Sequence, residues 1–388
     1  MISAATAKEI VKAHQLSTIS VELPLQQALQ LRLSEAVYST VDVPSFIQSS
    51  MDGYAFKYAD WQPGKQLAIR GEMQAGTKNG LRLQPGEAAR IFTGAPLPEG
   101  ADTVVMQEKA KTAKGQLLIE DHTLKPAANA RPVGSAIRAG ELALEKNCVL
   151  TAGAIGFLAG MGITHVQVYK RPAVGIIITG DELAPPGKAL NFGEVYESNS
   201  AALKAALLQS QVDRINVYSA ADEPLMVQQV LQKALQENDM VLLTGGVSVG
   251  DYDFVIQAAA ACGIQQLFHK IKQRPGKPLY FGRKESRLVF GLPGNPSSVL
   301  SCFYEYVLLA LQAALPVLRA PLAQPLQKAA GLTHFLKAWY DGVSVHALDA
   351  QESYRMSSFA KANCLLQLDE TTTACAAGEL VEVHLLPF

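Results

Sequence analysis

The chain has 388 residues, 48% of them hydrophobic and 18% charged, and a formal net charge of −1. That balance offers no broad positive field for nucleic acid or an anionic membrane surface, and no apolar run approaches the ~20 residues that span a bilayer. The length suits roughly two to four domains, and the start, MISAATAKEIVKAHQ, lacks the apolar core of a signal peptide, so a cytoplasmic location is the expectation. The cysteines, Cys148, Cys262, Cys302, Cys364 and Cys375, are odd in number and scattered; they read as buried free thiols rather than disulfides, a zinc site or a redox pair.

Residues 16–43 read as a segment ending in a helix, because Leu25, Ala28, Leu29, Leu31 and Leu33 keep apolar groups on one side. VPSFIQSSMDGYAF, 43–56, packs Pro, Ser, Asp and Gly between hydrophobics and suits a tight loop entering a strand. Taken alone, Asp52 is an Asx-turn residue before Gly53. From about 57 to 134, short runs such as LAIRGEM, AARIFTG and TVVMQE alternate with Gly and Pro turns, which predicts a small β-domain. Within it Thr93 and Gly94 are either a plain turn or a hydroxyl and an N–H offered to a ligand. AGAIGFLAGMGI after Thr151 spaces small residues as a closely packed helix does.

After Pro172 the texture becomes strand, loop, helix, repeated. AVGIIITGDEL (173–183) is a buried strand ending in acids, and ESNSAALKAALLQSQV (197–212) is a helix capped by Ser198 and Asn199. INVYSAADEPLMVQQVLQKAL gives strand, acidic loop and helix. VLLTGGVSVGDYDFVI (241–256) gives a buried strand, a glycine turn at Gly245 and Gly246, and two acids at a helix start. One Asp there is a helix cap. Two beside loop N–H groups can also hold Mg²⁺ next to a phosphate. Strands alternating with helices predict a three-layer α/β domain over about 171–316, and ligands bind off the carboxyl ends of its strands. The loops at those ends carry Thr179, Asp181 and Glu182; Asp222 and Glu223; Ser248, Asp251 and Asp253; and Asn295, with Arg274 and Lys277 close by. Acids, a basic pair and glycine loops together predict a site for Mg²⁺ and a phosphate or pyrophosphate. Beyond Pro316, AWYDGVSVHAL, CLLQLDE and ELVEVHLLPF predict a C-terminal β-domain, and Ser353, Arg355, Ser357 and Ser358 read as solvated loop residues within it.

SSMDGYAF, RIFTGAPLPEGADTVVMQE, ITGDEL, LLTGGVSVGDYDF, RPGKP and GLPGNP, in this order, resemble the molybdopterin molybdenumtransferase family, the bacterial MoeA type related to the gephyrin E domain and the plant molybdenum cofactor proteins. The resemblance implies a helical N-terminal subdomain (1–44 and 135–170), a β-rich insertion (45–134), a three-layer α/β MogA-like domain (171–316) and a C-terminal β-barrel (317–388). It implies a homodimer that takes adenylylated molybdopterin and molybdate, cleaves the pyrophosphate link with Mg²⁺, and releases AMP and the finished cofactor. Implied partners are a MogA-like molybdopterin adenylyltransferase and the molybdoenzymes or their chaperones, with no nucleic acid and no membrane.

By that resemblance Asp181, Asp251 and Asp253 hold metal. Asp52, Thr93, Glu182, Asp222 and Asp253 act in catalysis, Asp52 and Thr93 approaching across the dimer. Gly245, Gly246, Ser248 and Gly250 cradle phosphate, Arg274 and Lys277 neutralise phosphate or molybdate, and Pro293, Asn295 and Pro296 form a rigid wall, with Ser357 a further substrate contact. The chain departs from the family at Ile47 and Gln48, at Ser135 and Ala136, where an acidic residue is usual, and at Lys337, where an Arg is common. Those departures frame the alternative of a catalytically altered paralogue or a non-enzymatic pterin-binding scaffold that delivers cofactor.

Overall fold

The computed structural model describes residues 1–246 and 254–387. The chain divides into two compact units, one formed by Met1–Ile19 with Arg171–Phe388 and the other by Ser20–Lys170.

In the first unit a six-stranded sheet runs, among the described residues, in the order Arg214–Ala220, Ala173–Thr179, Met240–Thr244, Arg287–Leu292, Tyr280–Lys284 and Gln265–His269. The first four strands are parallel, the fifth runs against them, and the sixth pairs antiparallel with the fifth. Alternate side chains of a strand point to opposite faces, and here they sort into two separate cores. Val174, Ile176, Met240, Leu242, Leu288 and Phe290 pack with Leu203 and Leu207 of the helix Asn199–Gln209. Ile177, Val241, Leu243 and Val289 pack with Val227 and Leu231 of Pro224–Glu237 and Val255 of Phe254–Ala261. This is the three-layer arrangement expected, and each fully buried Val, Leu or Ile contributes about 1.5–3 kcal/mol to it.

The helix expected after Asn295 is there, but its middle turn, Phe303–Val307, is a π-helix between Pro296–Cys302 and Leu308–Ala310. Glu305 and Tyr306 on that turn are both buried. The amino-terminal helix Ala4–Ala13, capped by the Ser3 side chain, joins the same core through Ala4, Ala7 and Val11. It therefore belongs with the α/β unit rather than with residues 135–170.

The C-terminal strands Val317–Pro321, Thr333–Tyr340, Val345–Ala347, Cys364–Leu368 and Leu380–Leu385 form a largely antiparallel sheet. Its edge is Gln273–Arg274, a strand of two residues contributed by the α/β segment and paired parallel with Thr333–Tyr340.

The second unit holds the β-rich region, a six-stranded sheet in the order Thr103–Met106, Gly53–Phe56, Glu87–Ile91, Gln66–Met73, Gln116–Ile119 and Ala110–Ala113. It also holds the helix Ala152–Gly160, capped by Thr151. The helix expected near residues 25–33 is absent. Ser20–Pro24 pairs antiparallel with His165–Tyr169, only Leu25–Gln27 makes a 3₁₀ turn, and Gln30 sits at φ +62°, outside any right-handed helix. Leu25, Ala28, Leu31 and Leu33 still share one core with Leu150, Leu158 and Val168. The apolar spacing marked burial correctly and the backbone wrongly. All five cysteines are free, four of them buried.

Candidate functional site

The ends of the parallel strands meet through glycine. Gly245 follows Met240–Thr244 at φ +89°, and a Cβ on it would lie 2.8 Å from both the carbonyl oxygen and the hydroxyl of Thr179. A Cβ on Gly294 would lie 3.9 Å from the Gly245 Cα, and the Gly294 carbonyl accepts from Asn199 Nδ2 at 2.9 Å. The turns after residues 179, 244 and 292 therefore converge at one rim with the start of the helix Asn199–Gln209. Two polar atoms at that rim, Thr244 Oγ1 and Asn199 Oδ1, are buried with no hydrogen-bond partner among the described residues.

Three of the expected acids come together there. The Asp222 N–H reaches Asp181 Oδ1 at 3.4 Å. Burial, and then the charges of Asp181 and Glu182, push the half-buried Asp222 carboxyl above its ordinary value. Ser248, Gly250, Asp251 and Asp253 lie outside the described residues. Among the described residues no three His, Cys, Asp or Glu side chains form a group that could hold a metal ion.

The expected basic pair shares a pocket with Pro293 and Asn295, which flank Gly294. A pocket of about 410 Å³ is lined by Arg274, Lys277, Pro293 and Asn295 on one wall and by Ser353 and Tyr354 on the other. Both cationic residues are exposed, and the backbone between them is fixed from beneath. Gln273, 1% exposed, donates its amide to the carbonyls of Pro275 at 3.0 Å and Gly276 at 3.2 Å. Its own carbonyl accepts from the Tyr306 hydroxyl on the π-turn. Pro296 opens the helix behind Asn295, a position where its missing N–H costs nothing.

The opposite wall depends on a residue whose role sequence reasoning missed. Lys337 is 1% exposed, and its ammonium donates to the carbonyls of Ala350 (2.8 Å), Arg355 (3.1 Å) and Glu352 (3.3 Å). Three donors match three acceptors, so the 350–355 loop is wrapped around one buried charge. The same loop is stapled across the pocket by Asn295 Nδ2 to Ser353 Oγ (2.9 Å) and Ser297 N–H to Ser353 O (3.0 Å). Ser353 therefore lines the pocket, while Ser357, the serine chosen from sequence, is exposed and outside the lining. Lys337→Met keeps the length and removes the donors. It is expected to lower stability by about 2–3 kcal/mol, read as a shift in the urea midpoint; an unchanged midpoint would contradict the wrapped loop.

In the second unit Asp52 and Thr93 are partners. Asp52 Oδ1 accepts from the Thr93 N–H at 2.7 Å and from its hydroxyl at 2.9 Å, and these bonds, the backbone one first, hold the exposed Asp52 carboxyl below its usual range. The Thr93 hydroxyl and N–H, which the sequence left open to a turn or to a ligand, both donate to Asp52 here. Gly53 has no room for a side chain, since a Cβ would fall on the Val105 carbonyl across the ladder. Of the departing positions, Gln48 bridges Gly94 O (3.1 Å) and Arg131 (2.9 Å), and Ser135 and Ala136 are exposed.

Three family models match the chain in succession: the MoeA N-terminal region (domain I and II) over residues 2–162, a probable molybdopterin binding domain over 175–318, and the MoeA C-terminal region (domain IV) over 319–386. The molybdopterin molybdenumtransferase of Haemophilus influenzae is 34% identical over 93% of both chains, and that of Staphylococcus epidermidis is 31% identical over 97% of this chain and 94% of its own. A crystal structure of a molybdopterin biosynthesis MoeA protein from Pyrococcus horikosii superposes with a TM-score of 0.86 at 29% identity, covering 99% of each chain.

Proposed function

The chain belongs to the molybdopterin molybdenumtransferase family and is an enzyme of molybdenum cofactor biosynthesis; from that premise we propose that it cleaves the pyrophosphate link of adenylylated molybdopterin with Mg²⁺ as it inserts molybdate, releasing AMP. The observation that supports this most is the pocket that joins Arg274 and Lys277 to Pro293 and Asn295, with Gly294 beside the Gly245 turn of the sheet whose neighbouring loops carry Asp181 and Asp222. An enzyme that breaks a phosphoanhydride and handles a metal oxyanion needs both kinds of charge at short range.

In this reading Arg274 and Lys277 grip the anion. Guanidinium offers a planar fork and ammonium a point charge, so the pair suits a tetrahedral group approached from two sides. In the same reading Gly245, Gly246, Ser248 and Gly250 bind phosphate. Pro293, Asn295 and Pro296 keep the wall stiff, and Ser353, in place of the expected Ser357, is a further contact. Asp222 and Glu182 position water, and Asp52, Thr93 and Asp253 complete the catalytic set.

The donors at the acidic rim are hard carboxylate oxygens, which fit Mg²⁺. Burial first, and then the repulsion of Asp181 and Glu182, raise Asp222, and a divalent cation would offset the repulsion. Asp181, Asp251 and Asp253 would hold it, and when bound it supplies charge neutralisation at the phosphoanhydride. The four-part division of the chain, assembly as a homodimer in the cytoplasm, receipt of substrate from a MogA-like adenylyltransferase and delivery to molybdoenzymes or their chaperones belong to the same reading.

Purified protein given adenylylated molybdopterin, molybdate and Mg²⁺ is expected to release AMP, and Lys277→Ala to slow that release by about 10²-fold, as loss of a transition-state charge partner typically does. Absence of AMP from the unmodified protein overturns the reading. Sedimentation of the same sample tests the dimer.

A further inference from the structure

The loop that carries Arg274 and Lys277 rests on a buried chain of hydrogen bonds. Gln273 and Tyr306 are 1% and 0% exposed, and the Tyr306 hydroxyl donates to Gln273 Oε1. The Gln273 amide nitrogen donates in turn to Pro275 O at 3.0 Å and Gly276 O at 3.2 Å. The next carbonyl, that of Lys277, accepts from the Ile271 N–H at 2.9 Å. Three successive carbonyls are thus tied back to residues 271 and 273, and the side chains between them belong to the pocket lining.

A side-chain amide has an accepting end and a donating end, and only one of its two orientations serves this loop. Turned over, Gln273 would set its oxygen against the same carbonyls. Tyr306 decides between the two, because Gln273 Oε1 can only accept and the hydroxyl therefore donates to it. Burial raises the Tyr306 phenol well above its ordinary value, so the proton it donates is present at neutral pH.

Tyr306 itself stands on an uncommon backbone. Phe303–Val307 is a π-helix with all five residues buried, and such turns occur frequently at functional sites. Glu305, one residue before, ties the turn to Lys8 and His384, so the hydroxyl is presented from a fixed base. Where a hydrogen-bonded pair only fills space, apolar groups of the same shape can replace it at almost no cost. This pair does more, since it chooses the orientation of the amide that holds the loop.

We propose that Tyr306 and Gln273 are positioning residues for the reaction, setting the backbone between Arg274 and Lys277 so that both cations meet the anion together. The proposal rests on the reading of this pocket as the anion site. Tyr306 acts through Gln273, and Gln273 acts through the carbonyls of Pro275 and Gly276.

Steady-state AMP release by the full chain tests this, each variant being checked for native circular dichroism. Tyr306→Phe is expected to lower kcat roughly tenfold and Gln273→Met roughly 10²-fold, with KM changed little, as for an interaction that counts in the transition state. Adding Tyr306→Phe to Gln273→Met should lower kcat no further, because residues that act through one another are not additive. Tyr304→Phe removes a hydroxyl of the same turn that reaches Gln209 instead, and it should leave kcat unchanged. A Tyr306→Phe rate equal to that of Tyr304→Phe, a loss carried by KM alone, or effects that multiply in the double variant overturn the positioning role while the pocket reading stands. If the unmodified protein releases no AMP, the pocket reading fails and hydrogen exchange decides the pair. The Ile271 amide should then exchange roughly tenfold faster in Tyr306→Phe than in the unmodified chain, and equal exchange overturns the hold on the loop.

Discussion

Gly276→Ala is expected to abolish the basic pocket while leaving the parallel sheet folded. Gly276 sits at φ +83°, and a Cβ on it would collide with the Cys302 thiol and lie 3.0 Å from Gln273 Nε2. Neither neighbour can give way. Cys302 is buried in the helix Pro296–Cys302, and Gln273 is held by Tyr306 on one side and by the loop it supports on the other. The strain falls instead on the backbone between Arg274 and Lys277, the two groups that must meet the anion together. A displacement of about 1 Å at a positioned group costs on the order of 10²-fold in rate, and backbone strain of this kind costs about 1–3 kcal/mol in stability. Titration with phosphate and AMP release, alongside the urea midpoint, check both figures. Unchanged affinity and turnover would show that the loop is not held as described.

Glu305→Gln is expected to cost about 3–5 kcal/mol, the usual result of breaking a buried ion network at one member. Glu305 is 3% exposed and joins three separate parts of the first unit. It lies on the π-turn, pairs with Lys8 of the amino-terminal helix at 2.6 Å, and meets His384 Nδ1 of the last strand at 2.7 Å. His384 Nε2 in turn reaches Glu382 at 2.9 Å. Burial alone would raise the Glu305 carboxyl, but the His384 hydrogen bond and the Lys8 charge outweigh it and the net direction is down from 4.5. Its contribution is therefore present above the unfolded value and lost as pH falls through the folded one. Burial would lower His384, and the Glu305 bond reverses that, so the net direction is up from 6.5. That contribution is complete below the unfolded value and lost as pH rises through the folded one. The network as a whole is strongest between the two ordinary values, 4.5 and 6.5. Urea midpoints across this range should fall on either side for the unmodified chain and vary less in the variant. A variant with the same pH profile would contradict this account.

The layered core was legible because its strands carry uninterrupted apolar runs bounded by glycine and acids, a pattern with few alternative structures. Part of the rim was legible for the same reason: Gly245 and Gly294 occur where strand ends meet, and Asp181 and Asp222 come two residues after theirs, while Ser248, Gly250, Asp251 and Asp253 lie outside the described residues. What sequence did not show depends on long-range pairing. Nothing local marks Gln273–Arg274 as a strand, since its hydrogen bonds go to residues about sixty positions later. Lys337 has the composition of a surface residue and becomes structural only because three carbonyls close around it. Ser353 and Ser357 are equivalent as text, and the staple to Asn295 separates them. The apolar run 25–33 has helical spacing, but Pro24 and the strand ladder with His165–Tyr169 take its backbone elsewhere.

The arginine of the basic pocket comes from the α/β segment, yet its backbone is completed by Thr333 and His334 of the terminal sheet. The tail is consequently not a detachable module. A chimaera joined near residue 316 would inherit an open ladder at Gln273, and a donor tail would restore the anion grip only if it presented a free strand edge in the same register. Exchange of parts among such proteins is thereby confined to pieces that carry both halves of this seam.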